Sequence, residues 1–258
     1  MSTLTKNFSN KEVYRTKEFS RWAYGNGLLP EEEYLIANYL DRSKSTIEAG
    51  TGGGRILLEM SKLGFTSLSG FDYLSEFIEV AKKRDVDGNI DFQVQDATKL
   101  NYEDGSFEQA LYLCQMISSI DDELGRLKAL KEAYRILKVG GIALFSFLSF
   151  DSRINNAVYH FYVEYIRFLR KLRSSDRSIQ YLPWLRFEKR PNLAALFDGG
   201  AHVYWYKFQE AYQLLRDVNF QLVAYGSRYQ LSQGTICEFP TVIDNKSITG
   251  MLYFVCQK

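Results

Sequence analysis

The chain has 258 residues, enough for one large α/β domain or for a domain with a smaller cap. Its formal net charge of +1 provides no overall field that would attract nucleic acid or a membrane. Three cysteines without metal-binding spacing predict neither a disulfide framework nor a metal site. No segment is apolar for long enough to span a bilayer, and residues 1–10 lack the apolar core of a signal peptide, so we predict a cytoplasmic protein.

The predicted elements begin with a segment, residues 1–29, that combines aromatic and charged residues. Pro30 then opens a predicted helix with three glutamates in its first turn, where the helix dipole favours negative charge. From Ser45 to Phe150, predicted strands and helices alternate five times. Such units form a parallel sheet with helices on both faces, and a ligand lies at the carboxyl ends of its strands.

The first predicted strand ends at Glu48 and leads into a glycine-rich loop, residues 50–54, followed by a helix pattern. Glycine lets backbone approach a ligand closely, and the N–H groups of the next helix point to the same place, so the loop predicts a nucleotide-like ligand. Arg55 argues against two alternatives: a P-loop needs Gly-Lys-Ser/Thr there, and a dinucleotide fingerprint needs glycine at that position. An ordinary tight turn is the alternative when the loop is considered alone.

Further strand ends carry side chains suited to the same ligand. The second strand ends at Asp72, 24 residues after Glu48, where a carboxylate can accept hydrogen bonds from both ribose hydroxyls. Tyr73 follows and offers a flat apolar face for a purine. The residues that these patterns place at or beside one sheet edge are Glu48, Asp72, Tyr73, Asp96, Ala97 and Cys114.

The pattern Glu48-x-Gly-x-Gly-x-Gly54 resembles motif I of the class I S-adenosylmethionine (SAM)-dependent methyltransferases. Residues 107–110, Phe-Glu-Gln-Ala, resemble the F-D-x-V strand of that family. Residues 135–141 resemble its R-x-L-K-P-G-G segment, with Val139 in place of proline. The resemblance covers residues 30–150 closely and residues 207–258 more loosely.

The resemblance implies a doubly wound, Rossmann-like α/β fold. Its seven-stranded sheet has the order 3-2-1-4-5-7-6, with the seventh strand antiparallel. The implied cofactor is SAM, with Asp96 bonded to the adenine amino group. The implied cofactor-binding residues are Glu48, Gly50, Gly52, Asp72, Tyr73, Asp96, Ala97 and Cys114. Residues 1–150 and 207–258 are predicted to form the SAM-binding core, including an N-terminal helical segment, and residues 151–206 an inserted helical lid that recognises the substrate.

This insertion is too long for a plain loop. Residues 153–190 contain 9 Lys and Arg against 3 Asp and Glu. A basic lid predicts an acceptor with a carboxylate or phosphate that Arg167 and Arg170 recognise, although a solvated helix face explains the same charges. A third interpretation is a weak contact with a membrane surface, which would suit a lipid or quinone substrate.

We therefore expect an enzyme that transfers a methyl group from SAM to a small-molecule acceptor, at an oxygen or nitrogen atom. Gln115 and Ser118, just past the fourth strand, are predicted to face the acceptor. Tyr204 either lines the acceptor pocket or packs the lid, and His202 is the candidate base.

Several alternatives stay open. The near-zero net charge and the lack of an Asn/Asp-Pro-Pro-Tyr segment after the fourth strand argue against a nucleic-acid substrate. The remaining alternatives are a methyltransferase for a lipid-like or macromolecular substrate and a SAM-binding protein without catalysis. A nucleotide-dependent oxidoreductase is disfavoured by Arg55.

Overall fold

A computed structural model of the protein describes residues 9–184, 193–238 and 248–258. The strands in these ranges are β1 (Thr46–Ala49), β2 (Leu68–Asp72), β3 (Ile90–Val94), β4 (Phe107–Tyr112), β5 (Leu137–Leu148), β6 (Tyr181–Pro183), β7 (His202–Tyr204), β8 (Gln221–Ser227), β9 (Cys237–Glu238) and β10 (Met251–Gln257). The helices are α1 (Asn10–Thr16), α2 (Phe19–Tyr24), α3 (Pro30–Tyr39), α4 (Arg55–Lys62), α5 (Ser75–Arg84), α6 (Glu123–Ile136), α7 (Phe150–Asn155), α8 (Ala157–Leu172), α9 (Phe208–Asp217) and α10 (Arg228–Ser232). Short 3-10 turns span Ile117–Ser119 and Leu193–Phe197.

The predicted fold class and strand order are confirmed. Eight strands are hydrogen-bonded in the order β3-β2-β1-β4-β5-β10-β8-β9. The strands from β1 to β5 are parallel, and β10 runs antiparallel to both of its neighbours. The first seven positions reproduce the predicted order. The eighth strand, β9, pairs with the edge of β8. It has only two residues, too few for a periodic pattern that would predict a strand.

The sheet is covered on both faces, as a doubly wound fold requires. Successive strand residues point to opposite sides, so Leu144 and Phe145 enter two different apolar clusters. Phe145 packs on the side of α6 and α9, and Leu144 on the side of α3 and α4. The helices therefore leave the carboxyl edge of the parallel strands as the open side of the core.

The N-terminal segment is packed against that edge. Phe19 of α2 stacks on Phe77 of α5 with ring centroids 5.1 Å apart. Arg84 of α5 donates to the carbonyl oxygens of Ala23 and Gly53, both at 2.8 Å, and so joins the end of α2 to the glycine loop. Residues that lie far apart in sequence are thereby brought to one place.

The inserted segment leaves and returns at the end of β5. Tyr206 donates its N–H to the Leu148 carbonyl, and Phe150 donates to the Tyr206 carbonyl. Between these points, α7, α8 and the β6–β7 pair share an apolar cluster that includes Val163, Ile166 and Leu182. The division into a core and a lid at residues 151–206 stays a prediction. In the described ranges, no helix combines the length and apolar character that crossing a membrane requires.

Candidate cofactor and active site

A cavity of about 540 Å³ opens at the carboxyl ends of β1 to β4. Its volume falls in the range of roughly 300–1,000 Å³ that small-molecule sites occupy. The glycine loop and the ends of β2 and β3 form one wall. The other wall comes from α1, α2 and the segment 114–128. The cavity therefore lies where the topology of a doubly wound sheet places a ligand.

The glycine loop reaches the cavity at Gly50 and Gly52. Both residues have left-handed backbone, with φ of +66° and +55°. A Cβ at Gly50 would lie 2.9 Å from Cγ of Met116, and a Cβ at Gly52 would lie 2.9 Å from the Trp22 carbonyl oxygen. Only glycine fits these two positions, and the result is a stretch of bare backbone facing the cavity.

Asp72 ties this loop to the end of β2. Its buried carboxylate accepts hydrogen bonds from the N–H of Gly52 at 3.1 Å and from the N–H of Leu74 at 3.0 Å. Burial raises the pKa of Asp72 to about 6, against the opposing effect of these backbone donors. An ionised carboxylate has about four acceptor positions, so Asp72 retains capacity for ligand hydroxyls.

Three more of the predicted cofactor residues line the cavity, namely Tyr73, Asp96 and Ala97. Asp96 uses Oδ1 to accept from the backbone N–H and the hydroxyl of Thr98, both at 2.8 Å, which orders the turn after β3. The Lys11 ammonium lies 5.3 Å from the centroid of the Tyr73 ring. This end of the cavity thus combines a planar apolar surface with a carboxylate, as a purine base requires.

Glu48 lies beneath the loop, not in the cavity wall. Its buried carboxyl group accepts from the Thr51 hydroxyl at 2.6 Å. Burial raises the pKa of Glu48 to about 8, which favours the neutral form. The side chain therefore fixes Thr51 at the start of the glycine loop. The predicted contact of Glu48 with the cofactor stays a prediction.

Cys114 reaches the cavity from the end of β4, as predicted. Its sulfur lies 3.1 Å from Nη2 of Arg55 and 3.2 Å from Oε1 of Glu32. Arg55 and Glu32 also form a two-pronged ion pair, with both N–O distances at 2.6 Å. Burial raises the pKa of the Cys114 thiol well above its usual value, so the sulfur stays protonated.

The turn after β4 shifts the predicted acceptor residues by one position. Cys114 and Gln115 both have positive φ, and a 3-10 turn follows. Ser118 is consequently buried and accepts from the N–H of Leu148, whereas its neighbour Ser119 lines the cavity. Gln115 lies outside the cavity wall, and its carbonyl accepts from the Ser119 hydroxyl at 3.1 Å. Gln115 and Ser118, which the resemblance placed toward the acceptor, therefore do not line the cavity, because the left-handed backbone at Cys114 and Gln115 turns the chain after β4.

The helix α1 supplies cavity residues that the sequence did not indicate. The Tyr14 hydroxyl and Oγ of Ser119 are 2.7 Å apart. Asn10 donates to the Ser119 carbonyl at 3.0 Å and to Oδ1 of Asp121 at 2.7 Å. Burial raises the pKa of Tyr14 far above its usual value, so its hydroxyl stays protonated. Ser9 caps this helix by accepting from the N–H of Glu12.

The insertion places its predicted site residues elsewhere. Arg170 is buried and forms a two-pronged ion pair with Asp198, with N–O distances of 2.7 and 2.6 Å. His202 directs its ring to the same carboxylate at 3.1 Å and to the Gly200 carbonyl at 2.9 Å. Burial opposes ionisation of Asp198, but Arg170 and His202 outweigh it and hold the pKa of that carboxyl below its usual range. Arg170 and His202 thus lie outside the cavity wall and are held within the insertion, and their predicted roles as substrate-recognising residue and base gain no support from this geometry.

Two further predicted substrate residues also lie away from the cavity. Tyr204 donates to Glu210, and the Arg126 guanidinium lies 4.2 Å from the centroid of its ring. Of the two roles predicted for Tyr204, lining the acceptor pocket or packing the lid, these contacts agree with packing. Arg167 is exposed and pairs with Glu164 three residues earlier on α8. No described residue of the insertion lines the cavity, although Trp184 packs edge-on against Tyr14, which does.

Comparisons with known proteins agree with this geometry. Residues 47–145 match a family model described as a methyltransferase domain. The ubiquinone/menaquinone biosynthesis C-methyltransferase UbiE of Desulfotalea psychrophila is 30% identical over 165 residues, covering 61% of this chain and 65% of that protein. The protein of the same description from Geotalea daltonii is 27% identical over 145 residues, covering 53% of this chain and 60% of that protein. The chain thus aligns with less than two thirds of the length of either relative.

A solved structure has the same fold. The SAM-dependent methyltransferase of Methanosarcina mazei has a TM-score of 0.64 at 19% identity, covering 87% of this chain and 96% of that one. This likeness shows that the chain shares the Rossmann-like fold of the solved structure. The residues that match the methyltransferase domain model, 47–145, include the glycine loop and the ends of β1 to β4. The matched family and the solved structure imply SAM as the cofactor.

Proposed function

We propose that the chain transfers the methyl group of SAM to a small molecule that binds in the same cavity. The observation that carries this proposal is the pairing of two walls in one space of about 540 Å³. One wall has bare loop backbone and strand-end carboxylates. The other wall, formed by α1 and the segment 114–128, holds an independent set of polar and apolar side chains. A site for the cofactor alone would not need the second set.

The first wall fits SAM by the chemistry of its donors and acceptors. Asp72 would accept the ribose hydroxyls, Tyr73 would pack on the adenine, and Asp96 would accept from the adenine amino group. The bare backbone at Gly50 and Gly52 would admit the methionine part, since a Cβ at either residue would collide with the facing wall. SAM supplies an activated methyl group, so the chain has to orient the acceptor and keep water away.

The second wall fits an acceptor that is a ring bearing hydroxyl or carbonyl groups. Met116, Ile120 and Leu124 give it an apolar surface, and Tyr14 gives it a neutral hydroxyl group. Support for a carbon acceptor on a quinone-type ring comes from the name of the two curated relatives. Such a reaction releases a proton from the acceptor. Asp121 lies in the cavity wall, and burial raises its pKa despite the hydrogen bond from Asn10, so it is the proposed base in place of His202.

The test is product formation by the full-length protein with SAM and a panel of acceptors. The panel contains a 1,4-dihydroxynaphthalene, a phenol, an aromatic amine and an aromatic carboxylate. We expect S-adenosylhomocysteine to form with the dihydroxynaphthalene, and mass spectrometry to locate the new methyl group on ring carbon. Methylation of oxygen or nitrogen instead would support the methyltransferase activity but identify a different acceptor atom.

Two controls separate the possible failures. Calorimetric binding of SAM without S-adenosylhomocysteine formation from any acceptor would favour the non-catalytic SAM-binding protein. The variant Asp121→Asn should lower kcat more than it lowers SAM affinity, because it removes a proton acceptor and keeps the hydrogen-bonding shape. Equal kcat in this variant at every pH would remove Asp121 from the reaction.

A further inference from the structure

We propose that the outward face of α8 docks the protein on the surface of an anionic lipid bilayer. This face consists of apolar side chains at alternating steps of three and four residues, which align on one side of a helix. Its members are Val158, Phe161, Tyr165, Phe168 and Leu172, and their exposed fractions are 70, 74, 41, 58 and 66%. The stripe runs along roughly 20 Å of helix.

The stripe is not the face that folds the helix into the protein. The inner face of α8 carries Val163, Ile166 and Arg170, all buried. At 3.6 residues per turn these three positions lie about 150° around the helix axis from the centre of the stripe. The helix is thus apolar on two opposite sides, and only one of them contacts the core. A surface helix of a globular protein normally turns polar residues outward, so the second apolar side needs another partner.

A neighbouring element extends the same surface. The 3-10 turn Leu193–Phe197 packs beside α8, since the Tyr162 hydroxyl donates to the Ala195 carbonyl and Arg173 donates to the Phe197 carbonyl, both at 2.8 Å. Leu193 and Phe197 in this turn are 65 and 63% exposed. Exposed apolar side chains therefore lie both on α8 and on the turn packed against the flank of α8, which is more than a scatter of single apolar residues.

Charge decides which partner this surface fits. Exposed basic side chains lie at the end of α8 and just after it, at Lys171, Arg173 and Arg177. Residues 153–190 carry 9 Lys and Arg against 3 Asp and Glu, and Asp198, which pairs with Arg170, leaves residues 153–198 with a net charge of +5 while the whole chain has +1. Two copies of this chain that met through the stripe would bring two such segments together at a cost in repulsion. An anionic lipid surface supplies the opposite charge and an apolar layer in which the aromatic rings can be buried.

This inference is independent of the proposed function, because no residue of the stripe lines the cavity. The test is flotation of the full-length protein with vesicles of phosphatidylcholine alone or of phosphatidylcholine with about one-third phosphatidylglycerol. We expect flotation with the anionic vesicles that weakens as salt rises. The double variant Phe161→Ser with Phe168→Ser should reduce the bound fraction by about tenfold or more, since both rings leave water on docking.

Two further variants make the test specific. Lys171→Gln with Arg173→Gln should lower binding a few-fold at low salt and flatten its salt dependence. Val86→Ser with Val139→Ser is the matched control, because these valines are 90 and 92% exposed and lie outside the insertion. This control should float like the unaltered protein.

The proposal is overturned if the unaltered protein does not float, or if the phenylalanine variant floats equally well. Sedimentation velocity without lipid tests the competing partner, which is a second copy of this chain. If the unaltered protein is a dimer that does not float, and the phenylalanine variant is a monomer, the stripe is a contact between copies of this chain.

Discussion

The carboxyl edge of the sheet and the insertion after β5 use charged residues in opposite ways. At the edge, Asp72 and Asp96 line a cavity while holding the backbone of their own turns. In the insertion, Arg170 and Asp198 satisfy each other inside a small core. A charged residue therefore does not indicate a binding site by its charge alone. Its position in the fold is the better indicator, because the ends of parallel strands converge on one edge, whereas the charged residues of an inserted segment can be used to stabilise its own small core.

The substitution Arg170→Gln should have the largest effect and should act on stability. Truncating one partner of a buried ion pair leaves the other charge without compensation, at a cost of about 3–5 kcal/mol. Arg170 is 4% exposed and pairs with Asp198 at 2.6 Å. We expect hydrogen exchange in α8 to accelerate strongly while calorimetry shows unchanged SAM affinity.

The matched control is Arg167→Gln on the same helix. Arg167 is exposed and pairs with an exposed glutamate, so the change should cost less than about 0.5 kcal/mol. The contrast breaks if Arg170→Gln leaves exchange in α8 unaltered and selectively lowers kcat/KM for anionic acceptors. In that case Arg170 recognises the substrate, as its sequence context indicated.

The next largest effect is expected from Asp72→Ala at the sheet edge. The carboxylate joins Gly52 to the end of β2 and is proposed to accept the ribose hydroxyls, so its removal should weaken SAM binding by about 1.5–3 kcal/mol. Isothermal calorimetry measures this loss directly. Asp87→Ala, at an exposed aspartate after α5, is the control and should bind normally. Unchanged affinity in Asp72→Ala would remove this carboxylate from the site.

The sequence specified the edge well because its signals are local. A strand pattern that ends in an acidic residue, followed by a glycine loop and a helix, needs no distant partner to be recognised. The sheet order followed from these units together with the resemblance to a known family. The residues Gly50, Gly52, Asp72 and Asp96 accordingly line the cavity as predicted.

The parts that could not be predicted depend on distant contacts or on unusual backbone. Tyr14 enters the site only because it meets Ser119, 105 positions away. Ser119 lines the cavity, and Ser118 does not, because two non-glycine residues before them have positive φ. The role of Arg170 depends on Asp198, 28 positions away. None of these contacts or backbone conformations can be predicted from a short stretch of sequence.

The pH dependence of SAM binding should show a smaller effect at the same edge. Burial raises the pKa of Asp72 from its usual 3.8 to about 6 in the unliganded protein. Ribose hydroxyls donate to the ionised form, so binding lowers this pKa, and affinity is full only well above pH 6 and falls as the pH drops through 6. Between pH 7 and pH 5 we expect a loss of about tenfold by calorimetry.

Two further comparisons assign this pH effect to Asp72. The pKa of Glu48 is raised to about 8, so that group stays protonated throughout the window and contributes little. Asp72→Asn should bind more weakly and lose the dependence between pH 5 and 7. For unfolding the sign is the reverse of the usual aspartate: the raised pKa means that the contribution of Asp72 to stability declines as pH rises from about 4 to about 6. A variant that keeps the full pH dependence would assign it to another group.

The smallest expected effect concerns how the N-terminal helices cover the edge. A Cβ at Gly53 would lie 1.9 Å from the carbonyl oxygen of Ala23, although the φ of Gly53 is ordinary. Gly53→Ala should therefore displace α2 without removing any atom proposed to contact SAM. We expect faster hydrogen exchange in residues 9–24 and a few-fold loss of SAM affinity, because Asn10, Tyr14 and Trp22 of that segment line the cavity.

The control for this change is Gly226→Ala, whose new Cβ would have no neighbour closer than 3.7 Å. It should leave exchange in residues 9–24 as it is. If Gly53→Ala also leaves that exchange unchanged, the cover is not held on the glycine loop, and the edge would have to close by other means. If exchange rises while SAM affinity holds, α1 and α2 serve the acceptor side of the cavity alone. Either result would sharpen the comparison between the carboxyl edge of the sheet, which sequence patterns predict, and the packing of α1 and α2 against it, which depends on distant contacts.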